Sequence, residues 1–266
     1  NAVDGYGLIP EVVDRILGFG VNVITSGNHI WQHTELHTTL DREQRLLRPE
    51  NYLPSAPGRG CCVVSVPGAD VGVLNLQGRH TLPSPRCPFQ TADEAIAALR
   101  AKTPLIVVDL HAESVEEKEA LALYLDGRVS AVVGTHTHVT TADERILPGG
   151  TAYITDAGMT GPHDSVIGVR SEIAIKRFLT QVPIRFKPAE ENVKLAGAIV
   201  AVDEQSCKSQ QIERIKLDQD SADAEQEQEE DQEQQEEEDQ HHEQQQQLHQ
   251  QQYPEEGRAG GGVGGP

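Results

Sequence analysis

Three short apolar runs in this chain each break off into polar side chains able to ligate a cation, and this pattern narrows what the chain can fold into. Val129-Ser130-Ala131-Val132-Val133 runs into Gly134-Thr135-His136-Thr137-His138, Val107-Val108-Asp109-Leu110 into His111-Ala112-Glu113, and Val23-Ile24-Thr25 into Ser26-Gly27-Asn28-His29. Such β-branched runs read as buried strands, and the glycine after the first marks its end. In an open α/β sheet, ligands gather in the crevice outside the carboxyl ends of the strands. Three such ends in one sheet would therefore converge. Imidazole is the commonest metal ligand and the usual acid-base group near neutral pH. A lone histidine after a strand is ordinarily structural, and one His-x-His is weak because alternate strand residues share a face by default. Three ends together point to a metal site.

Between these runs the periodicity changes. Ile9–Leu17 reads as a helix with Pro10 in its first turn and Val12, Val13, Ile16 and Leu17 as its stripe, stopped by Gly18 and Gly20. Helices are also expected near Gln32–Leu40, over Ala92–Ala101, over Ser114–Leu125 with a capping box of Ser114 and Glu117, and over Glu172–Leu179. Strands are expected at Val21–Thr25, Leu105–Leu110, Ser130–Val133, Ala152–Thr155 and Val193–Val202. A hairpin of Cys61–Val66 and Val71–Leu76 should turn at Pro67-Gly68-Ala69-Asp70. No internal repeat is visible. Alternating helices and strands with some hairpins make an α/β fold with a mixed sheet or pair of sheets.

Charge divides the chain. Residues 217–266 carry 16 acidic side chains and one basic, so they account for about three quarters of the net charge of −20. That stretch has too little apolar surface to offset its ordering entropy. The expected organisation is a domain over 1–205 and an acidic Glu/Gln-rich disordered tail over 206–266. The chain opens at Asn1, and Asn-Ala-Val-Asp-Gly-Tyr-Gly reads as a loop entering a helix. The domain is therefore expected to be incomplete at its N-terminus, lacking a first strand or strands. Cys61, Cys62, Cys87 and Cys207 have no zinc-motif spacing and read as reduced thiols of a cytoplasmic protein. No apolar run is long enough to span a membrane. A net-negative chain repels a phosphate backbone, which argues against duplex nucleic acid as a partner, whereas a small phosphodiester drawn to a metal remains compatible. Imidazole, amide and carboxylate ligands without thiolate suit Mn, Fe or Zn.

At these residues the chain resembles the calcineurin-like metallophosphoesterases. The resemblance rests on Ser26-Gly27-Asn28-His29, His111 and Gly134-Thr135-His136-Thr137-His138. Four further stretches narrow it to the YmdB-like branch over about residues 1–203: Asp41 to Pro49, Leu125 to Ser130, Thr141 to Thr151 and Tyr153 to Pro162. The resemblance implies an α/β sandwich with mixed sheets, a centre of two metal ions (Fe or Mn foremost, then Zn), and phosphodiesterase activity, notably on 2′,3′-cyclic nucleotides. It also implies metal ligands at Asn1, Asn28, His111, His136 and His138, and His29 as the group that protonates the leaving oxygen. The branch carries a ligand Asp after a first strand and a bridging Glu ahead of its Asn, both of which would stand upstream of Asn1. A homo-oligomer is expected. The competing reading is a catalytically impaired fragment acting as a metal-binding or regulatory interaction protein.

Other residues are weighed against plainer roles. His163 sits in a turn, more a local hydrogen-bond partner than a phosphate contact. His33 and His37 could bind a metal from one helix, but a solvated face is the stronger reading. Arg79, beside His80, holds either a phosphate or a surface carboxylate. Asp156 orders a loop or a ligand histidine, and Glu113 either backs a ligand histidine or faces solvent. Trp31 reads as core rather than as a base-stacking platform. His241, His242 and His249 belong to a solvated polar tract.

Overall fold

Parallel strands need crossover connections, usually helices, and the centre of this protein is a parallel sheet with its crossover helices packed on one face. In the computed structural model, which describes residues 2–218, a six-stranded sheet is built from β1 (Cys61–Val66), β2 (Ala69–Gln77), β3 (Ile106–His111), β4 (Ala131–Thr135), β5 (Arg145–Ile146) and β6 (Ala152–Ile154). The order is β1-β2-β3-β4-β6-β5. The four central strands run parallel, and β1 and β5 close the edges antiparallel. A second, three-stranded antiparallel sheet pairs β7 (Gly161–Pro162), β8 (Val193–Val202) and β9 (Ser209–Asp218) in that order. The result is an α/β fold with a mixed sheet.

Five helices complete the described residues: α1 (Pro10–Gly18), α2 (Leu36–Arg42), α3 (Pro88–Arg100), α4 (Val115–Leu125) and α5 (Ser171–Thr180). Crossovers α3 and α4 bury Ala92, Ile96, Leu99, Leu121 and Leu125 against Leu74, Leu76, Val108 and Leu110 on one face of the sheet. The opposite face of the same strands is polar. Register sets Asn75 beside Asp109, Gln77 beside His111, and His111 beside Thr135. A smaller core of Val13, Ile24, Ile30, Leu36, Leu40 and Leu46 lies under the N-terminal segment. No helix among the described residues is long and apolar enough to cross a membrane.

Three expectations are corrected. Val21–Thr25 is not a strand of the main sheet. Ile24 makes a single bridge to Leu46, its N–H donating to the Arg45 carbonyl at 2.7 Å. Ile24 is the one buried side chain of that run, while Val21 is 38 % exposed, and one inward residue cannot sustain a ladder. The helix expected at Gln32–Leu40 begins only at Leu36, after a 3₁₀ turn over Asn28–Trp31. His33 and His37 therefore do not share a helix. Finally, ordered chain continues past 205: Ser209–Asp218 pairs along β8, from Val202↔Ser209 to Lys194↔Asp218. Gln210, Gln211, Glu213, Arg214 and Lys216 dilute its apolar signal, but β8 needs a hydrogen-bonding partner. The acidic stretch from 219 onward lies outside the described residues, as does Asn1.

Candidate metal centre

The polar face of β3 and β4 carries the site. His111 ends β3, and its Nε2 lies 2.9 Å from Asn28 Oδ1 and 3.1 Å from His136 Nδ1. Asn28 arrives on the loop after Ile24, which the main sheet holds through a side chain: Asn75 Nδ2 on β2 donates to the carbonyls of Ser26 (2.8 Å) and Leu47 (3.2 Å). The first polar run thus reaches the sheet mouth as a tethered loop rather than as a strand end. Gly27 is required there, because a Cβ at that position would overlap the His111 ring.

The His136–His138 loop has unusual backbone geometry. His136 has φ +107° and His138 +67°, conformations that L residues seldom adopt and that cost on the order of 1–3 kcal/mol each. Asp156 pins the loop between them. Its Oδ2 accepts from Thr137 N at 3.0 Å and from Lys118 Nζ at 2.8 Å, and its Oδ1 accepts from Gly158 N at 2.9 Å. Lys118 and Asp156 are both buried out of water. Gly134 lets the strand pass this close, since a Cβ on it would strike the Thr155 carbonyl oxygen.

The outer nitrogens of the two facing imidazoles are also occupied. His136 Nε2 lies 2.8 Å from the Glu113 carboxylate, so the ring donates there and turns the lone pair of Nδ1 toward His111. His111 Nδ1 lies 3.2 Å from Thr135 Oγ1, which donates to Asp109 Oδ1 at 2.8 Å. Burial drives the His111 pKa down to about 3, helped by His136 and Lys118, and lowers that of His136 against the pull of Glu113. Both rings are thereby kept neutral, the form that ligates metal. Burial pushes the Asp109 carboxyl up to about 6, opposed by the Thr25 and Thr135 hydroxyls.

His29 lies beside this group, its ring meeting Tyr6 edge-on at 5.3 Å. Burial, with His136 and His138 nearby, lowers its pKa. His138 Nδ1 lies 2.9 Å from the Ile167 carbonyl, toward the loop that leads to α5. The structure therefore brings Asn28, His111 and His136 together, sets His29 next to them, and holds His138 against Ile167. Among the described residues, no group of three or more His, Cys, Asp and Glu side chains is arranged to hold an ion. The converging donors are two imidazoles and one amide oxygen. Two neutral ring nitrogens and a carbonyl-type oxygen aimed at one another suit a divalent cation of the Mn, Fe or Zn kind.

The remaining candidates take other roles. Asp156 orders the loop backbone, not a histidine, and Glu113 backs His136. His163 Nε2 is 3.3 Å from the Met159 carbonyl. His33 Nε2 is 3.1 Å from that of Tyr6, and His37 packs edge-on against Trp31, which also packs on Tyr52. The capping box at α4 is half formed. Ser114 Oγ accepts from Glu117 N, but the Glu117 carboxylate reaches Arg79 N and His80 N instead of returning to Ser114. Lys118, Asp109 and Thr135 were absent from the sequence-based site. The signals for the first two were a lysine on the buried stripe 118, 121, 122, 125 and a carboxylate inside an apolar run.

A family model described as YmdB-like protein matches residues 1–215. A curated relative from Bacillus subtilis (strain 168), named 2′,3′-cyclic-nucleotide 2′-phosphodiesterase, is 48% identical over 220 residues, which cover 83% of each chain. Of solved structures, a hypothetical protein from Thermus thermophilus is similar at TM-score 0.77 and 36% identity, over 82% of this chain and 84% of the other. A novel phosphatase from Mycoplasma pneumoniae is similar at TM-score 0.73 and 36% identity, over 81% and 78%. With a family model matched over most of its length and a relative near half identity, this chain belongs to the YmdB-like protein family.

Proposed function

We propose that this protein is a metal-dependent hydrolase of phosphodiesters, with 2′,3′-cyclic nucleotides as its substrate class. The observation that carries this reading is the convergence of Asn28 Oδ1, His111 Nε2 and His136 Nδ1. The 48% identical relative named as a cyclic-nucleotide phosphodiesterase supports the substrate class, and the similar phosphatase structure supports the reaction type. Asn28, His111 and His136 would hold a divalent ion, with His138 and Asn1 as further ligands of a two-ion centre of Mn or Fe. When bound, such ions would supply a water of lowered pKa and neutralise charge that develops at the phosphoryl group.

The chain's own residues do the rest. Asp156 and Lys118 fix the loop that carries His136 and His138. Glu113 fixes the ring of His136. His29 stands beside the ligands and, in its protonated form, would donate to the ribose oxygen leaving phosphorus while water forms the new P–O bond, so that the products are a hydroxyl and a phosphomonoester. We place the protein in the cytoplasm as a homo-oligomer, a reading supported by its free cysteines and by the exposure of Phe178 and Leu179 on α5 and Ile199 on β8.

The test is hydrolysis of bis-p-nitrophenyl phosphate and of 2′,3′-cyclic AMP, before and after chelation and after Mn²⁺ is restored. Turnover that is lost on chelation and regained with Mn²⁺ is expected. A chain that binds Mn²⁺ but turns over neither compound would instead be a metal-binding or regulatory protein.

A further inference from the structure

The strand pairing that places Thr135 beside His111 also puts Asp109 on the same face of β3, two residues earlier. The three side chains form a line of hydrogen bonds: Thr135 Oγ1 to Asp109 Oδ1 at 2.8 Å, and His111 Nδ1 to Thr135 Oγ1 at 3.2 Å. A hydroxyl has one hydrogen to give. Here the shorter contact is to the carboxylate, and a charge-assisted bond to a carboxylate is the stronger of the two available. The hydrogen therefore points at Asp109, and the hydroxyl can only accept from His111. Nδ1 of His111 then carries the ring hydrogen, leaving the lone pair on Nε2, which the acceptor Asn28 Oδ1 tolerates at 2.9 Å when a cation takes up the converging lone pairs. That nitrogen is the one facing Asn28 Oδ1 and His136 Nδ1.

We infer that Asp109 and Thr135 are positioning residues of this centre, acting through a hydroxyl relay that holds His111 as its Nδ1–H tautomer and so presents Nε2 to a divalent cation. This rests on the metal-centre reading above. His136 reaches the same end differently, since its Nε2 meets Glu113 directly. The two rings offer opposite nitrogens inward, and each needs its own acceptor behind it. Thr135 bridges the two, meeting His111 Nδ1 on one side and Asp109 Oδ1 on the other. Outer hydrogen-bond partners of this kind typically change metal affinity about 10- to 100-fold.

The experiment uses ¹⁵N-histidine-labelled protein at pH 8, titrated with Zn²⁺, which is diamagnetic, and read by NMR for the site of the His111 ring hydrogen and by calorimetry for affinity. The Zn²⁺-loaded protein is expected to show an Nδ1–H on His111 protected from exchange. Thr135→Val should lose that protection and bind Zn²⁺ about 10- to 100-fold more weakly. Thr135→Ser, which keeps the hydroxyl, should restore both. Asp109→Ala should free the Thr135 hydrogen for His111 Nδ1, so the ion-free variant should show the Nε2–H form. An unprotected Nδ1 in the loaded wild-type protein overturns the relay without any variant. So does a Thr135→Val protein with unchanged protection and affinity, or a Thr135→Ser protein no better than the valine variant. These readouts need no turnover. A chain inactive on phosphodiesters that still shows the protected Nδ1–H supports the relay while overturning the proposed reaction.

Discussion

Lys118 Nζ sits 2.8 Å from Asp156 Oδ2 with both side chains out of water, and the same carboxylate oxygen receives the N–H of Thr137 between the two loop histidines. One buried ion pair thus ties helix α4 to the loop that carries His136 and His138. Removing one partner leaves a buried charge unpaired, which typically costs about 3–5 kcal/mol. Lys118→Met should lower stability by that order in urea unfolding. Lys118→Met combined with Asp156→Asn should recover part of the loss, because the second change removes the stranded charge. A double variant as unstable as the sum of its singles would show that the pair contributes nothing as a pair.

His29 lies beside the converging donors but is not one of them. His29→Ala should therefore lower turnover of a cyclic phosphodiester by about 10²- to 10⁴-fold and leave bound metal, counted by emission spectroscopy, at the wild-type amount. Equal loss of both would make His29 a ligand rather than an acid.

Gly27 is held to glycine by the His111 ring. Gly27→Ala should push that ring off Asn28 and His136. A misplacement of about 1 Å can cost on the order of 100-fold in rate, so turnover at saturating Mn²⁺ should fall by that order. Circular dichroism should still report the wild-type α/β content.

Glu113 is about half exposed, and its carboxylate meets His136 Nε2. Glu113→Ala should weaken Mn²⁺ binding by about tenfold, and Glu113→Gln, whose amide oxygen still accepts from the ring, should weaken it less. Calorimetric titration of the two variants against wild type measures the order directly.

The main sheet was legible where strands are apolar and parallel. Ile106–His111 and Ala131–Thr135 are buried on the helix side, and their β-branched runs announce them. The converging side chains Asn28, His111 and His136 were legible because each follows shortly after an apolar run breaks off. Less legible was whatever depends on partners far along the chain. Ile24 looked like part of a strand, but its neighbour is the loop at Arg45–Leu47 rather than the sheet. Ser209–Asp218 looked like the start of the acidic tract because five of its ten residues are Glu, Gln, Arg or Lys, yet pairing with β8 orders it. Lys118 is hidden in the sequence because charge ordinarily marks the wet face of a helix. Its register on the apolar stripe of α4 is the contrary sign. The Thr135 hydroxyl offers none, since threonine is common in strands for its β-branch alone.

Asn28 and His111 meet across 83 residues of sequence, with His136 a further strand away. An unfolded chain holds no such cluster, so a cation that prefers it binds the native state more tightly than the unfolded chain. Binding then draws the folding equilibrium toward the native form, by about 2.7 kcal/mol when the free ion stands at 100 times its Kd. Thermal melting followed against ion concentration should therefore act as a binding assay that needs no substrate.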